Sequence, residues 1–369
     1  MTFEPIALAA PGVRRLSPYQ PGKPLDALER EYGVRNAIKL ASNENPLGPG
    51  PAAVAAARAA LEGVGRYPDG AGFGLKRALA ARLGVDAMQI TLGNGSNDVL
   101  ELVARAFLGP DTEVVYAAHA FAVYALVTQA AGARAVVVPA RDWGHDLDAM
   151  RAAVGPRTRL VFIANPNNPT GTWLRAGDLE GFVRAVPENV LVVVDEAYFE
   201  YVDEPDYPDT VGWIAKYPNL ITTRTFSKIH GLAGLRVGYG VSHPAVADLL
   251  NRVRQPFNVN SAAAAAAEAA LRDEAHVARS RDMNRAGLRQ LTEGTKKLGL
   301  PHIPSTANFV CIEVGQAAAV YEGLLREGVI VRPVANYGMP RHLRVTVGLP
   351  EENERFLKAL DKVLGGSRR

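Results

Sequence analysis

The sequence contains very little cysteine and no long apolar run. Cys311 is the one cysteine among 369 residues, which excludes an internal disulfide. No apolar stretch approaches the roughly 20 residues that cross a bilayer. The opening MTFEPIALAAPGVRRL places an acid before a short apolar run and contains prolines, so it is a poor secretory signal. We therefore expect a cytoplasmic protein with no membrane partner.

An excess of charge of one sign is also missing. The net charge is +3, from 41 basic and 38 acidic residues, and no basic block is present. Binding to nucleic acid or to an anionic membrane depends on concentrated positive charge, so neither partner is expected. The 7 histidines are scattered without an H-x-x-x-H pair, and cysteine pairs are lacking, so no metal site is predicted. The G-x-S-x-G motif of serine hydrolases is absent as well.

Short apolar segments alternate with helical patterns over the first two thirds of the chain. Buried strands that alternate with helices are typical of a mostly parallel sheet covered on both faces. The predicted strands lie at 89–92, 113–116, 135–138, 160–164, 191–194, 220–223 and 236–241.

The pattern changes after Pro256. An alanine-rich helix is predicted at 261–271, and a charged helical pattern continues to about residue 298. Strands at 308–314, 329–334 and 342–347, with helices at 317–327 and 351–364, then indicate a smaller α+β unit. We predict an α/β protein with a large domain at 46–256 and a small domain from 1–45 and 257–369. The proline-rich start of the chain is expected to form an extended arm.

Polar groups follow four of the predicted strands, as GNGSND, NPNNPTG, DEAY and TRTFSK. Ligands of parallel sheets bind beyond the carboxyl ends of the strands, so these segments predict a binding site. GNGSND is neither a G-x-G-x-x-G nor a Walker loop. It opens a helix and can bind an anion through backbone N–H groups. The alternative interpretation is a turn in which Ser96 is the helix N-cap.

Lys228 lies in the apolar segment TRTFSKIHGLAGLRVGYG. It can extend its stem along apolar surface, as many lysines do. The hydroxyls of Thr225 and Ser227 together with Arg236 suit a phosphate, however, and a desolvated lysine beside cations can lose its proton and attack a carbonyl. Asp195 ends the strand LVVVD, where it is either a cap or a carboxylate that keeps a ring nitrogen protonated.

These motifs resemble a known family. SPYQPGK, ASNENPLGP, RYPD, GNGSND, NPNNPTG, DEAY, TFSKIHGLAGLRVGY, VIVRP and LRVTVG follow one another along nearly the whole chain. In this order they resemble the fold-type-I, pyridoxal-phosphate-dependent aminotransferases and, within them, the histidinol-phosphate subgroup. The resemblance implies a mostly parallel seven-stranded sheet, a homodimer with shared active sites and pyridoxal 5'-phosphate as cofactor. It also implies transamination of L-histidinol phosphate with 2-oxoglutarate, giving imidazole acetol phosphate and glutamate in histidine biosynthesis.

The resemblance also assigns cofactor-binding roles. Lys228 would form the Schiff base and move protons, and Asp195 would pair with the pyridinium nitrogen. Tyr198 and Asn168 would hydrogen-bond the ring hydroxyl oxygen. Tyr67 would reach the phosphate of the neighbouring subunit. The implied ligands of the cofactor phosphate within the chain are Gly95, Ser96, Asn97, Thr225 and Arg236, with Ser227 as an additional ligand.

Further roles concern the cofactor face and the substrate. Phe121 occupies the stacking position, where the subgroup often has tyrosine, and Tyr124 is expected to turn away on its helix. Arg344 would bind the acidic end of the substrate, with Arg332 as a second cation. The remaining implied pocket residues are Tyr19 and Asn43. A solvated Arg332, and packing or turn roles for Tyr19 and Asn43, are the alternatives.

Three other functions remain as alternatives. An aromatic amino-acid aminotransferase, possibly with dual specificity, uses a pocket of similar size. A threonine-phosphate decarboxylase shares the fold but breaks a different bond. A cofactor-binding transcription regulator would need an added DNA-binding domain, for which the residues before NENP leave no room. No catalytic role is assigned to His230.

Overall fold

The structure is a computed structural model that describes residues 3–367. The α-helices are α1 (Pro5–Leu8), α2 (Leu25–Tyr32), α3 (Pro51–Ala60), α4 (Phe73–Leu83), α5 (Ser96–Phe107), α6 (Ala122–Ala130), α7 (Leu147–Ala152), α8 (Ala176–Ala185), α9 (Pro244–Val253), α10 (Ser261–Ala270), α11 (Glu274–Lys297), α12 (Ala317–Arg326) and α13 (Pro350–Ser367). The strands are β1 (Ile38–Lys39), β2 (Ile90–Gly93), β3 (Glu113–Ala117), β4 (Arg134–Val138), β5 (Thr158–Ala164), β6 (Leu191–Asp195), β7 (Leu220–Thr225), β8 (Gly238–Ser242), β9 (His302–Ile303), β10 (Phe309–Glu313), β11 (Val329–Ile330), β12 (Arg332–Pro333) and β13 (His342–Thr346). None of these helices is both long enough and apolar enough to span a bilayer.

Seven strands form the large sheet, in the order β2-β8-β7-β6-β5-β3-β4. Neighbours from β4 to β7 pair in parallel, whereas β8 is antiparallel to both β7 and β2. The central strands β5, β6 and β7 are buried almost throughout, as expected for strands covered on both faces. The predicted seven-stranded, mostly parallel sheet is therefore confirmed.

The strand predicted at 236–241 begins two residues later, and this boundary places Arg236 outside the sheet. Arg236 has a left-handed backbone with φ 59°, and the strand starts at Gly238. A Cβ at position 238 would lie 2.4 Å from the backbone nitrogen of Ser96, so glycine allows the first turn of α5 to pack closely against β8. The prediction of a strand at Arg236 is wrong, because a left-handed residue leaves the extended conformation.

The small sheet is antiparallel, in the order β12-β13-β10-β9. Its apolar core includes Leu291 of α11, Val320 of α12 and Leu360 of α13. The strand predicted at 329–334 divides into β11, which pairs with β1, and β12, which pairs with β13. The residues predicted as one strand at 329–334 therefore belong to two different sheets.

The arm is not extended throughout. Helix α2 follows Pro24 and ends at Gly33, whose φ of 68° suits a left-handed C-cap. Its Leu28 is fully buried against Ala41, Leu325 and Ile330. The prediction of an extended arm is wrong for this segment, because Leu28 anchors a helix on the small unit.

Helix α10 packs on the core of the large sheet. Ala263, Ala266 and Ala267 are fully buried there, in the same cluster as Val192 and Val194 of β6. The domain boundary predicted after residue 256 stays a prediction.

Candidate active site

A cavity of about 280 Å³ lies at the carboxyl ends of β5, β6 and β7. The arm, the first turn of α5 and the small sheet close its other sides. Every predicted site residue except Gly95 and Tyr67 lines it. These lining residues are Tyr19, Asn43, Ser96, Asn97, Phe121, Asn168, Asp195, Tyr198, Thr225, Ser227, Lys228, Arg236, Arg332 and Arg344. The fold therefore brings together segments that are more than 300 residues apart in sequence, from Tyr19 to Arg344.

Lys228 follows β7 and extends its amine into the cavity. Its Nζ donates to the carbonyl of Ser42 at 3.2 Å and lies 5.7 Å from the ring centroid of Tyr198. Burial lowers the pKa of Lys228 to about 8, the cation of Arg344 adds to this effect, and Glu44 opposes it. A neutral amine is therefore accessible near physiological pH, as a nucleophilic lysine requires.

We expect Lys228 in the cofactor-free protein to react with acetic anhydride as an amine of pKa about 8. Its labelling rate should rise steeply between about pH 7 and 9, because only the neutral amine attacks. The exposed Lys216 pairs with Glu180 at 2.7 Å, and this hydrogen bond raises its pKa. Peptide mass spectrometry measures both lysines in one sample. Identical pH dependence for the two would contradict the lowered pKa.

Asp195 ends β6 with its carboxylate buried. Tyr124 Oη donates to Oδ2 and Thr223 Oγ1 donates to Oδ1, each at 3.1 Å. Burial raises the pKa of Asp195 to about 6, and the two hydroxyl donors oppose that rise. The carboxylate is thus mainly ionised at neutral pH and can face a cationic ring.

Tyr124 corrects the sequence analysis, which expected it to turn away on its helix. Its ring is fully buried and stacks on Phe162 of β5, with centroids 4.7 Å apart and an interplanar angle of 4°. Tyr124 shares the sheet-facing side of α6 with Thr128, four residues on. A phenol on an apolar helix face needs a hydrogen-bond partner, and this signal could have identified it.

The glycine loop forms the anion-binding end of the cavity. Gly95 has φ 84°, and a Cβ there would lie 2.3 Å from Nη2 of Arg236. Gly95, rather than Ser96, is the N-cap of α5, so the interpretation of Ser96 as the cap is wrong. Asp98 N donates to the carbonyl of Gly95 at 3.2 Å, whereas the N–H groups at the very start of a helix have no acceptor within it and can face an anion.

The other predicted phosphate ligands lie beside this loop. The guanidinium of Arg236 donates to Ser227 Oγ at 3.2 Å and to the carbonyl of Ala233 at 3.0 Å. Ser227 N donates to Thr225 Oγ1 at 3.1 Å. One cation, two hydroxyls and a helix N-terminus therefore converge, which is a suitable donor set for a phosphate.

Tyr198 and Asn43 form one hydrogen-bonded unit. Asn43 Nδ2 donates to the Tyr198 hydroxyl at 2.8 Å, and Asn43 Oδ1 accepts from Thr346 Oγ1 at 3.0 Å. Burial raises the pKa of Tyr198, so its phenol is protonated at neutral pH and can donate to an oxygen in the cavity. Asn43 has φ 56°, so it has both the backbone of a turn residue and a side chain in the site.

Two buried arginines lie opposite each other on β12 and β13. Arg344 donates to Asn168 Oδ1 at 2.5 Å and to the carbonyl of Ala41 at 2.7 Å, while its buried Nε has no acceptor among the described residues. Arg332 donates to the carbonyl of Gln20 at 2.6 Å and lies 5.7 Å from the Tyr19 ring. The interpretation of Arg332 as a solvated surface group is wrong. The pair can bind a dianion.

The two remaining predicted aromatics have different surroundings. Phe121 is partly buried at the start of α6. Its ring packs edge-on with that of Tyr124, with centroids 5.8 Å apart and an interplanar angle of 89°. Tyr67 is 83% exposed and stacks on Phe257 at 4.7 Å, outside the cavity. Its predicted role involves a second subunit and stays a prediction.

A buried ion pair that the sequence analysis missed lies directly beneath the site. Glu196 and Arg224 pair at 2.7 Å with almost no exposure, and Arg224 also reaches Asp209 at 2.7 Å. The guanidinium lies 3.5 Å from the centroid of the Phe199 ring. Because Glu196 follows Asp195, this pair ties together the ends of β6 and β7.

Comparisons with known proteins identify relatives over nearly the whole chain. A histidinol-phosphate aminotransferase 2 of Pseudomonas fluorescens (strain Pf0-1) is 63% identical over 97% of this chain and 98% of its own. A histidinol-phosphate aminotransferase 1 of Nitrosococcus oceani is 62% identical over 97% of each chain. The crystal structure of histidinol-phosphate aminotransferase from Sinorhizobium meliloti in complex with pyridoxal-5'-phosphate superposes with a TM-score of 0.90, at 32% identity, over 97% of this chain and 98% of that one.

The family model described as aminotransferase class I and II matches residues 35–360. That range contains all three sheets of the described residues and every cavity residue named above except Tyr19. The chain belongs to the class I and II aminotransferases.

Proposed function

We propose that this protein transfers the amino group of L-histidinol phosphate to 2-oxoglutarate, with pyridoxal 5'-phosphate as cofactor. The products are imidazole acetol phosphate and glutamate, and the reaction belongs to histidine biosynthesis. The observation that carries the proposal is one cavity in which Lys228, with its lowered pKa, faces a phosphate cradle and a buried arginine pair. Relatives named for this activity match nearly the whole chain and support it.

The residues of the cavity fit the cofactor. The Gly95 cradle has no room for a Cβ, and its donors suit a phosphate, while Asp195 suits a protonated ring nitrogen. Pyridoxal phosphate, when bound, supplies an electron sink that stabilises negative charge at the α-carbon of the substrate. Tyr198 and Asn168 would hold the ring hydroxyl oxygen, and Phe121 would cover one ring face.

Lys228 performs the proton transfers. With pyridoxal phosphate bound, its Nζ would hold the cofactor in the resting protein and, once freed by the amino donor, would take the proton from the substrate α-carbon. The lowered pKa supports this role, because a base near pKa 8 is largely deprotonated when it must accept a proton.

The arginine pair selects the substrate. Arg344 and Arg332 would bind the phosphate of histidinol phosphate in one half-reaction and the distal carboxylate of 2-oxoglutarate in the other. The buried Nε of Arg344, which has no acceptor among residues 3–367, supports an anionic ligand at this end of the cavity. Tyr19 lies beside Arg332 on the arm, where it would line the substrate pocket with Asn43.

We expect Arg344→Lys to lower kcat/KM for histidinol phosphate by about 10-fold to 100-fold, because lysine cannot make the bidentate contact. Arg341→Lys is the matched control, since Arg341 lies three residues away, is exposed and pairs with Glu313 at 2.8 Å. Steady-state kinetics with both substrates measures the effect. Equal kcat/KM values for the two variants would contradict the role of Arg344.

The deciding experiment for the proposed function is an anaerobic absorption titration of the purified protein with histidinol phosphate and no keto acid. Phenylalanine and threonine phosphate are titrated in parallel. We expect the visible cofactor band to disappear at far lower concentrations of histidinol phosphate than of phenylalanine. A stronger response to phenylalanine would indicate an aromatic aminotransferase, and loss of carbon dioxide from threonine phosphate would indicate a decarboxylase. Absence of a cofactor band after reconstitution would refute the proposal.

We propose further that the protein acts as a homodimer with shared active sites in the cytoplasm. Exposed apolar side chains that line the same surface cavity as Tyr67, among them Val64 at 69% and Leu61 at 55%, support a covered face. Sedimentation equilibrium tests the dimer, and a monomer at micromolar concentration would contradict it. The single, buried and unpaired Cys311 agrees with a reducing compartment.

A further inference from the structure

Asp195 is a buried carboxylate whose side-chain hydrogen-bond donors are both neutral. Tyr124 and Thr223 each donate from 3.1 Å, and no ion pair to Asp195 is present among residues 3–367. A lysine or arginine in either place would cancel the negative charge. Hydroxyl donors stabilise the charge without removing it, so the carboxylate stays available to a cation in the cavity.

The Tyr124 hydroxyl is held in place by the packing of its ring. The ring is 0% exposed and lies between Phe162, stacked at 4.7 Å, and Phe121, edge-on at 5.8 Å. Tyr116 is tilted against it at 6.5 Å. The ring is therefore confined among aromatic neighbours while its hydroxyl reaches Asp195.

Tyr124 also contacts Phe121, a second residue that the cofactor ring would meet. Its ring supports Phe121, the predicted stacking residue, while its hydroxyl reaches the predicted partner of the ring nitrogen, Asp195. Tyr124 thus contacts both Phe121, which would cover the face of the cofactor ring, and Asp195, which would pair with the nitrogen at the ring edge. Neither the family match nor the names of the relatives assigns a role to this tyrosine.

We infer that Tyr124 is a positioning residue of the active site, whose hydroxyl keeps Asp195 ionised and oriented toward the cofactor ring. The inference rests on the proposed function, because it assumes pyridoxal phosphate in this cavity. Removal of the hydroxyl leaves the buried carboxylate with one side-chain donor, which favours its protonated form. A protonated Asp195 binds the cationic ring less tightly, so cofactor affinity becomes more sensitive to acid.

Other titratable groups around Asp195 enter this argument. Lys228, from the segment after β7, is the charged side chain that lowers the pKa of Asp195. Tyr198 and Tyr337 interact electrostatically with Tyr124, and burial raises the pKa of both, so they are protonated at neutral pH. The positive charge of Arg344 acts to lower the pKa of both Lys228 and Tyr198. None of these groups changes when only the Tyr124 hydroxyl is removed, so a shift in pH dependence reports on Asp195.

The test measures the dissociation constant of pyridoxal phosphate from the full-length, reconstituted protein between pH 5 and pH 8, with circular dichroism to confirm folding at each pH. In Tyr124→Phe, we expect the pH at which affinity falls on the acid side to move upward by about one unit. Affinity at pH 6 should fall by about fivefold, because the ionised fraction of Asp195 falls from about one half to about one tenth. Thr223→Val removes the other hydroxyl donor and should move the midpoint in the same direction.

Tyr116→Phe is the matched control, because it removes a hydroxyl from a buried neighbouring ring that has no hydrogen bond to Asp195 in the part of the chain described. The pH at which its cofactor affinity falls should equal that of the wild type. If Tyr124→Phe does not move the pH at which cofactor affinity falls, or loses affinity equally at every pH, the inference is overturned. Cofactor binding by the wild type in the same experiment would leave the proposed function intact. A wild-type protein that does not bind pyridoxal phosphate would overturn both.

Discussion

Replacing Lys228 with alanine is expected to reduce multiple-turnover transamination by about 10⁴-fold or more. Two functions would be lost together, because in the proposed function Nζ both attaches the cofactor and moves the proton at the substrate α-carbon. Arginine should not restore the rate, since a guanidinium stays protonated and cannot act as the base. Coupled detection of glutamate from histidinol phosphate and 2-oxoglutarate measures this rate.

The matched control for this prediction is Lys216→Ala. Lys216 is exposed and pairs with Glu180 on the surface, so its removal should leave kcat within about twofold of the wild type. Pyridoxal phosphate can still occupy Lys228→Ala through the phosphate cradle, and a measured dissociation constant separates weak binding from lost chemistry. Normal turnover in Lys228→Ala at saturating cofactor would show that this lysine is not the proton carrier.

Replacing Arg224 with methionine is expected to lower the free energy of unfolding by about 3 to 5 kcal/mol. The substitution leaves the buried carboxylate of Glu196 without its cation and removes the guanidinium from the Phe199 ring. Glu196 is 0% exposed and has no access to water. Urea denaturation followed by circular dichroism measures the loss.

Two further variants separate charge burial from simple loss of a contact. Glu196→Gln combined with Arg224→Met removes both charges and should recover a large part of the loss, because no uncompensated charge remains buried. Arg252→Met breaks an exposed pair with Asp248 and should change stability by about 1 kcal/mol or less. A double variant as unstable as Arg224→Met alone would contradict the electrostatic explanation.

Local sequence patterns located most of the large sheet. Apolar segments such as 160–164 and 191–194 alternate with helices, and their continuous burial follows from helices on both faces. The arm was interpreted incorrectly because its prolines suggested extended chain, whereas Leu28 finds a hydrophobic contact with Leu325 and Ile330. That contact spans about 300 residues, so no local pattern could reveal it.

The sequence by itself determined the type of chemistry. Lys228 and Asp195 could be singled out because each follows a predicted strand, and strand ends of a parallel sheet converge at one edge, but their roles came from the resemblance of the ordered motifs to the aminotransferases. The family match over residues 35–360 shows the family, while the roles of the two residues stay predictions. Motif order and local periodicity carry this information because both are properties of the linear chain.

Only the tertiary structure decided which groups surround these residues. The donation from Tyr124 to Asp195, the lowered pKa of Lys228 and the Glu196–Arg224 pair depend on burial and on contacts between separate elements. Desolvation and hydrogen bonding are set by which atoms approach within a few ångströms, and chain folding alone determines that distance. The motifs therefore specify the reacting groups, and the packing around them specifies their charge and orientation.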